Sequence, residues 1–241
     1  MAAFLAAIGN AAAQSPPSPD RERIRAQVAR SNARFVSPDP AIVKVLLITP
    51  GAVLECSGAV ISRNKVLTAA HCLIDDQGRW MPGSLVVIPG LDGWRREPWG
   101  RFEVTSAVDD GFDYATGRND VAVLTVGPNA RGDGIGDVTG WFERSPWRHG
   151  QDVQGYAGLV AEQQHESCPS VRYFESAVEH DCFVPKGTSG SPVFYLDQAT
   201  GETYIVAVNS RIEAGRAIAT RLRGQMWDFV EREVRDDRKN P

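Results

Sequence analysis

From residue 41 onward, short apolar runs alternate with turn-forming residues. Ala41–Thr49 (AIVKVLLIT), Gly58–Ala70 (GAVISRNKVLTAA), Ser84–Pro89 (SLVVIP), Phe102–Val108 (FEVTSAV) and Asp120–Val126 (DVAVLTV) are rich in strand-forming residues and split by Gly, Pro, Asn and Asp. A polar, Gly-rich stretch occupies 127–150. Five more runs follow: Asp152–Val160 (DVQGYAGLV), Arg172–Val178 (RYFESAV), Ser191–Leu196 (SPVFYL), Thr203–Ser210 (TYIVAVNS) and Arg216–Leu222 (RAIATRL). Many short strands at near-regular spacing, with turn signals between them, predict an all-β fold built as a barrel or sandwich. The two groups of runs predict two β units of similar size. Met226, Phe229, Val230 and Val234 recur at helical spacing, which predicts a C-terminal amphipathic helix over 224–235.

The residues before 41 have another texture. Residues 14–40 are polar and punctuated by proline, and read as an N-terminal arm or a propeptide. Residues 1–13 are small and apolar, with an apolar run at Phe4–Ile8 and an Ala11–Ala13 cleavage site, like the end of a secretory signal. No Lys or Arg precedes that run, so an Ala-rich tail with no export role is the alternative.

A chain of 241 residues that is 42% hydrophobic buries a substantial core, as one large domain or two small ones. The formal net charge of −4 and the scattered basic residues argue against a nucleic-acid partner. No apolar run is long enough to span a bilayer. No feature speaks to oligomeric state. Cys56, Cys72, Cys168 and Cys182 form no C-x-x-C pair, which argues against a metal or redox motif. Of three possible connectivities, two local disulfides, Cys56–Cys72 and Cys168–Cys182, are the most economical. With the leader, they predict a secreted or periplasmic protein.

Three motifs carry candidate chemistry. Val66–Cys72 (VLTAAHC) places His71 after a strand run, Asn119–Leu124 (NDVAVL) places Asp120 at the start of another, and Gly187–Pro192 (GTSGSP) sets Ser189 between glycines. A serine hydroxyl needs a base to become nucleophilic near neutral pH. An imidazole can take its proton and return it to a leaving amine, and a carboxylate can hold the imidazole in the required tautomer. Glycines at 187 and 190 permit a sharp backbone turn. The N–H groups of Gly187 and Ser189 are then candidate donors to a developing oxyanion. The chain also holds Asp109, Asp110 and Asp113 near the second motif, and an Asp before a strand is often a turn residue. His149, His165 and His180 lack the flanking pattern and read as surface or structural residues.

The order His71, Asp120, Ser189, with these flanks, resembles the trypsin-like (chymotrypsin-fold) serine proteases. The resemblance spans roughly 41–235. It implies two six-stranded antiparallel β-barrels, over 41–130 and 131–223, followed by the 224–235 helix. It implies a serine endopeptidase acting on polypeptide substrates through an acyl-enzyme, with His71 as base then acid, Asp120 orienting, Ser189 attacking, and no cofactor or metal. The pair Cys56–Cys72 resembles the family's disulfide beside the catalytic histidine.

The sequence departs from the family in places. Thr188 stands where these enzymes usually carry the Asp that pairs with a newly cut N-terminus, so the usual zymogen switch is not expected. Ser191 replaces a second glycine, and Ser189-Gly190-Ser191-Pro192 is similar to the bacterial glutamyl-endopeptidase branch. Phe183 falls where trypsin has its pocket Asp, which does not support cleavage after Lys or Arg. Asn209 falls near the pocket histidine of glutamyl endopeptidases, which does not support Glu specificity. Arg211 or Lys186 is the remaining candidate to attract an acidic side chain. Ser210 and Arg211 are expected to line the edge against which substrate backbone pairs. The expectation is a neutral residue before the scissile bond. A catalytically silent binding protein on the same fold is the alternative, and Thr188 is its best support.

Overall fold

The computed structural model describes residues 40–91, 97–146, 153–158, 163–167, 170–180, 184, 186–197, 200 and 202–239. Residues 1–39, on which the expected secretory signal and nearly all of the expected arm fall, and Cys168, Cys182 and Phe183 lie outside the described residues.

The first unit is a closed six-stranded barrel. Its strands are β1 (Ile42–Ile48), β2 (Val53–Val60), β3 (Lys65–Thr68), β4 (Ser84–Pro89), β5 (Phe102–Asp109) and β6 (Ala122–Val126), in the order β1-β2-β3-β6-β5-β4. All neighbours are antiparallel, and β1 closes the barrel on β4. Most of β1 and all of β3 are buried along their length, which is why these segments read as nearly unbroken apolar runs. Closure leaves no exposed edge to this sheet. Val43, Val45, Val66, Leu67, Val87, Phe102 and Leu124 belong to its packed core.

The second unit is an eight-stranded sheet. It contains β7 (Glu143–Arg144), β8 (Val153–Gly158), β9 (Gln163–Ser167), β10 (Ser170–Tyr173), β11 (Ala177–His180), β12 (Pro192–Leu196), β13 (Thr203–Glu213) and β14 (Arg216–Arg221). The order is β10-β11-β14-β13-β12-β8-β9, with β7 parallel beside β13. The all-β fold in two units with a terminal helix is therefore as expected. Within the described residues the second sheet runs to eight strands and is not closed as the first is. The 172–178 run is split between β10 and β11 by a turn at Phe174–Ser176, where the Phe174 N–H donates to the Ala177 carbonyl. The Gly-rich link holds a short helix, Ile135–Thr139.

The C-terminal helix runs Gln225–Lys239 and buries Met226, Phe229, Val230 and Val234. These four join a core cluster that also contains barrel residues and Phe194, Ile205 and Val208 of the second sheet. Polar contacts fix the same helix to the β2–β3 turn. Asp237 accepts from Ser62 Oγ at 2.6 Å and from the Asn64 N–H at 3.1 Å. Buried Arg144 pairs with Glu231 at 3.0 Å and donates to the Ile61 carbonyl at 2.6 Å.

Candidate active site

His71 sits on a single 3-10 turn, Ala70–Cys72, directly after β3. The turn is braced covalently: Cys72 is disulfide-bonded to Cys56 of β2, with the Cα atoms 6.3 Å apart. The Cys56–Cys72 expectation is met, while Cys168–Cys182 lies outside the described residues. Among the described residues, the cluster with metal-ligand chemistry is Cys56, His71 and Cys72, and both of its sulfurs are taken up by the disulfide.

Asp120 lies just before β6, after a sharp turn. Asn119 adopts φ 57°, a left-handed conformation that asparagine tolerates better than most residues. Its side-chain amide donates to the Asp110 carbonyl at 3.1 Å, which secures the turn. The Asp120 carboxylate, 1% exposed, then meets His71 twice. Oδ1 accepts the His71 backbone N–H at 2.8 Å, and Oδ2 lies 2.7 Å from Nδ1. The Ser210 hydroxyl also donates to Oδ2. A buried carboxylate accepting three donors fixes the imidazole with its proton on Nδ1 and leaves Nε2 as an acceptor.

The neighbouring acids have other work. Asp109 accepts from the Phe112 N–H at 2.8 Å, and Asp110 accepts from Gln225 Nε2 at 2.7 Å. Asp113 caps its own turn. The Thr116 hydroxyl at 2.7 Å, helped by backbone N–H groups, holds its carboxyl below the usual carboxylate range.

Ser189 comes from the second unit, on the 187–190 turn before β12. Gly187 has φ 90° and Gly190 has φ 85°, both in the region that favours glycine. Gly190 is constrained further: a Cβ there would stand 2.2 Å from the Ser57 carbonyl oxygen and 2.3 Å from Thr68 Oγ1. The turn is tied by the Ser191 N–H to the Thr188 carbonyl at 2.9 Å and the Gly190 N–H to the Asn209 carbonyl at 2.7 Å. The Ser189 hydroxyl donates to the Ser210 carbonyl at 3.4 Å. Ser210 thus touches both the carboxylate, through its hydroxyl, and the Ser189 hydroxyl, through its carbonyl. Among the described residues Ser189 makes no hydrogen bond with the His71 imidazole, and the N–H groups of Gly187 and Ser189 donate to no protein acceptor.

The expected specificity residues divide. Lys186 is exposed on the turn, and Phe183 lies outside the described residues. Asn209 is buried as a bridge: its Oδ1 lies 2.8 Å from His180 Nε2, and its Nδ2 donates to Ser191 Oγ at 2.9 Å. His180 is fully buried on β11, in keeping with a structural role. Arg211 is engaged with Glu213 at 2.6 Å and with the Gly117 carbonyl at 3.3 Å, so its charge is partly answered from within the protein. Ser210 is a buried link between the Asp120 carboxylate and the Ser189 turn. Ser57, whose hydroxyl donates to the Gly187 carbonyl at 2.6 Å, carried no sequence signal beyond following a cysteine.

The sequence matches the Trypsin family over residues 31–224, well over half of the chain. Curated protein sequences give no match. Among solved structures, the chain is similar to the protease Anisep from Arthrobacter nicotinovorans (18% identity, TM-score 0.67, 81% of this chain and 96% of that one). It is similar to a Glu endopeptidase solved in complex with MPD (20% identity, TM-score 0.67, 83% and 93%). It is also similar to the scabies mite inactivated protease paralogue S-I1 (18% identity, TM-score 0.66, 85% and 99%). Likeness at that identity shows the fold, which active and inactivated relatives share. Among the described residues no helix is long and apolar enough to cross a membrane. The family match, taken with the two-unit β fold, makes this chain a member of the trypsin family, a serine endopeptidase whose substrates are polypeptides.

Proposed function

We propose that hydrolysis runs through His71, Asp120 and Ser189 by way of an acyl-enzyme. The observation that carries this reading is the pair of contacts between His71 and Asp120, because they leave Nε2 free to act as a base. The Ser189 hydroxyl turns about χ1 from the Ser210 carbonyl to Nε2, a rearrangement in keeping with the loose hydrogen bonds of unliganded sites. Nε2 takes the proton as Oγ attacks the scissile carbonyl carbon. The C=O electron pair moves to oxygen, where the unengaged N–H groups of Gly187 and Ser189 are available as donors. Each such donor contributes about 3–4 kcal/mol in the transition state. The intermediate collapses, the C–N bond breaks, and Nε2 returns the proton to the departing amine. Water then repeats the sequence on the acyl ester, giving the free acid and restoring Ser189.

In this reading the catalytic domain spans 41–235, with 14–40 as an arm or propeptide. The Cys56–Cys72 disulfide supports a secreted or periplasmic setting. A neutral residue before the scissile bond fits best, since Arg211 is already engaged and Asn209 is buried. A fluorophosphonate probe tests the nucleophile: the wild type is labelled, and Ser189→Ala is not. A folded wild type that resists labelling would favour a catalytically silent binder instead. Peptides differing only at the P1 position test specificity, and strong Lys or Arg preference would refute the neutral assignment.

A further inference from the structure

Resting on that assignment of Ser189, a second question is what shapes the 187–190 turn in a chain with Thr188 where an aspartate would pair with a free N-terminus. The structure points to Ser57 on β2, one residue beyond the disulfide Cys56. Three of its groups face the turn. Its N–H donates to the Ser189 carbonyl at 2.8 Å, and its hydroxyl donates to the Gly187 carbonyl at 2.6 Å. Its carbonyl, which accepts from Thr68 Oγ1 at 2.7 Å, is the surface against which Gly190 nests. Beside the same turn lies Lys44, the residue paired with Ser57 across the β1–β2 ladder. The Lys44 side chain is 5% exposed, and its ammonium lies 2.8 Å from Glu55 Oε2. That ammonium stands 3.4 Å from the point a Cβ on Gly187 would occupy.

These contacts fix peptide planes in alternation. The 189–190 plane is held at both ends, by Ser57 N–H on its carbonyl and by the Asn209 carbonyl on its N–H. In the 188–189 plane the carbonyl accepts from the Ser191 N–H, which sends the Ser189 N–H the opposite way because a trans peptide opposes its two dipoles. In the 187–188 plane the Gly187 carbonyl accepts from the Ser57 hydroxyl. The Gly187 N–H lies in the preceding plane and is joined to this one through the Cα of Gly187, a glycine at φ 90° that tolerates wide changes of φ and ψ, so losing that bond loosens the placement of the N–H.

We propose that Ser57, backed by the Lys44–Glu55 ion pair, is a positioning residue that forms the oxyanion hole from the first barrel, so that no liberated N-terminus is needed to order it. Ser57→Ala removes the hydroxyl bond and keeps the N–H bond to Ser189. Lys44→Met removes the charge and keeps the chain length. In the full chain, with rates normalised to sites titrated to completion by a fluorophosphonate, Ser57→Ala lowers kcat for a peptide amide by about tenfold to thirtyfold, with KM within about twofold. Affinity for a peptide aldehyde, whose tetrahedral adduct places an oxyanion in the hole, falls in parallel. Lys44→Met moves kcat in the same direction by a smaller factor. A purely structural role would lower the melting temperature and the titratable fraction, and would leave turnover per titrated site unchanged. If Ser57→Ala does not fold, the Lys44→Met result decides. A labelled wild type whose folded variants keep per-site kcat within twofold would overturn this inference alone. A wild type unlabelled at Ser189 would overturn the nucleophile assignment and this inference with it.

Discussion

Replacing Asp120 by Asn isolates the work of one carboxylate. Three donors converge on it: the His71 backbone N–H at 2.8 Å, the His71 Nδ1–H at 2.7 Å and the Ser210 hydroxyl. An amide offers one acceptor oxygen and one NH2. If the oxygen keeps the His71 backbone bond, the NH2 faces the imidazole and must donate to Nδ1, which moves the ring proton to Nε2. The base is then blocked. If the amide flips, its NH2 faces the His71 backbone N–H, and two buried donors oppose each other at a cost of about 1–3 kcal/mol. The first arrangement is therefore favoured, and it is the inactive one. By analogy with the same exchange in other triads, kcat falls by about 10⁴, or about 5.5 kcal/mol of barrier at 1.36 kcal/mol per decade. The Ser210 hydroxyl can rotate to accept from the NH2, so the fold is retained. The assay is peptide-amide hydrolysis per titrated site, with a circular-dichroism melt as the control for folding. A folded Asp120→Asn protein with kcat within tenfold of wild type would refute the role given to this residue.

Other perturbations read other parts of the structure. Gly190→Ala drives a Cβ against the Ser57 carbonyl and Thr68 Oγ1 in a left-handed backbone; strain and overpacking together cost about 2–4 kcal/mol, and a melting temperature within 2 °C of wild type, on the order of half a kcal/mol for a chain of this size, would count against the contact. Removing the Cys56–Cys72 bridge, which closes a loop of sequence separation 16, costs about 3 kcal/mol in the loop-entropy model, measurable as a lower denaturant midpoint for the double Cys→Ala variant. Asp75 accepts from the Arg79 and Gln77 N–H groups and from the Arg79 guanidinium, with the Arg79 bonds foremost in holding its carboxyl below the usual range. Its folded value is depressed, so its contribution is present above the unfolded value and lost as pH falls through the folded one. Asp75→Asn therefore narrows the gap from wild type as pH drops below about 4, and a gap that stays constant from pH 7 to 3 would contradict the sign.

The three motifs were legible because each is a chemical requirement spelled in adjacent residues: a histidine braced by the next cysteine, an acid after a turn-forming asparagine, a serine between glycines. The Asn119 turn delivers the Asp120 carboxylate to His71, while Asp109 and Asp113 cap their own loops and Asp110 meets Gln225 of the C-terminal helix. Most strands were legible too, where burial made them apolar. Strand β9, Gln163–Ser167, was not, because its sequence QQHES has no apolar residue to mark a buried face. The 172–178 run looked like one strand because its turn, Phe174–Ser176, contains neither Gly nor Pro.

Ser57, which the sequence did not mark, and Ser210, expected only to line a substrate edge, act through hydroxyls that no motif encodes, one on a backbone carbonyl and one on a buried carboxylate. Ser57 and Ser210 are both buried serines, with no side-chain charge and no flanking motif of their own. Yet each crosses between the unit carrying His71 and Asp120 and the unit carrying Ser189. Ser210 reaches from the second sheet to the Asp120 carboxylate, and Ser57 reaches from the first barrel to the Gly187 and Ser189 carbonyls. The proposed triad, divided between two β units, needs such links, because shape packing alone tolerates sliding that proton transfer does not. Small errors of registration there are expected to cost turnover before they cost stability. The same division explains why Gly190 admits no side chain: it packs directly on the Ser57 carbonyl and Thr68 Oγ1 of the first barrel.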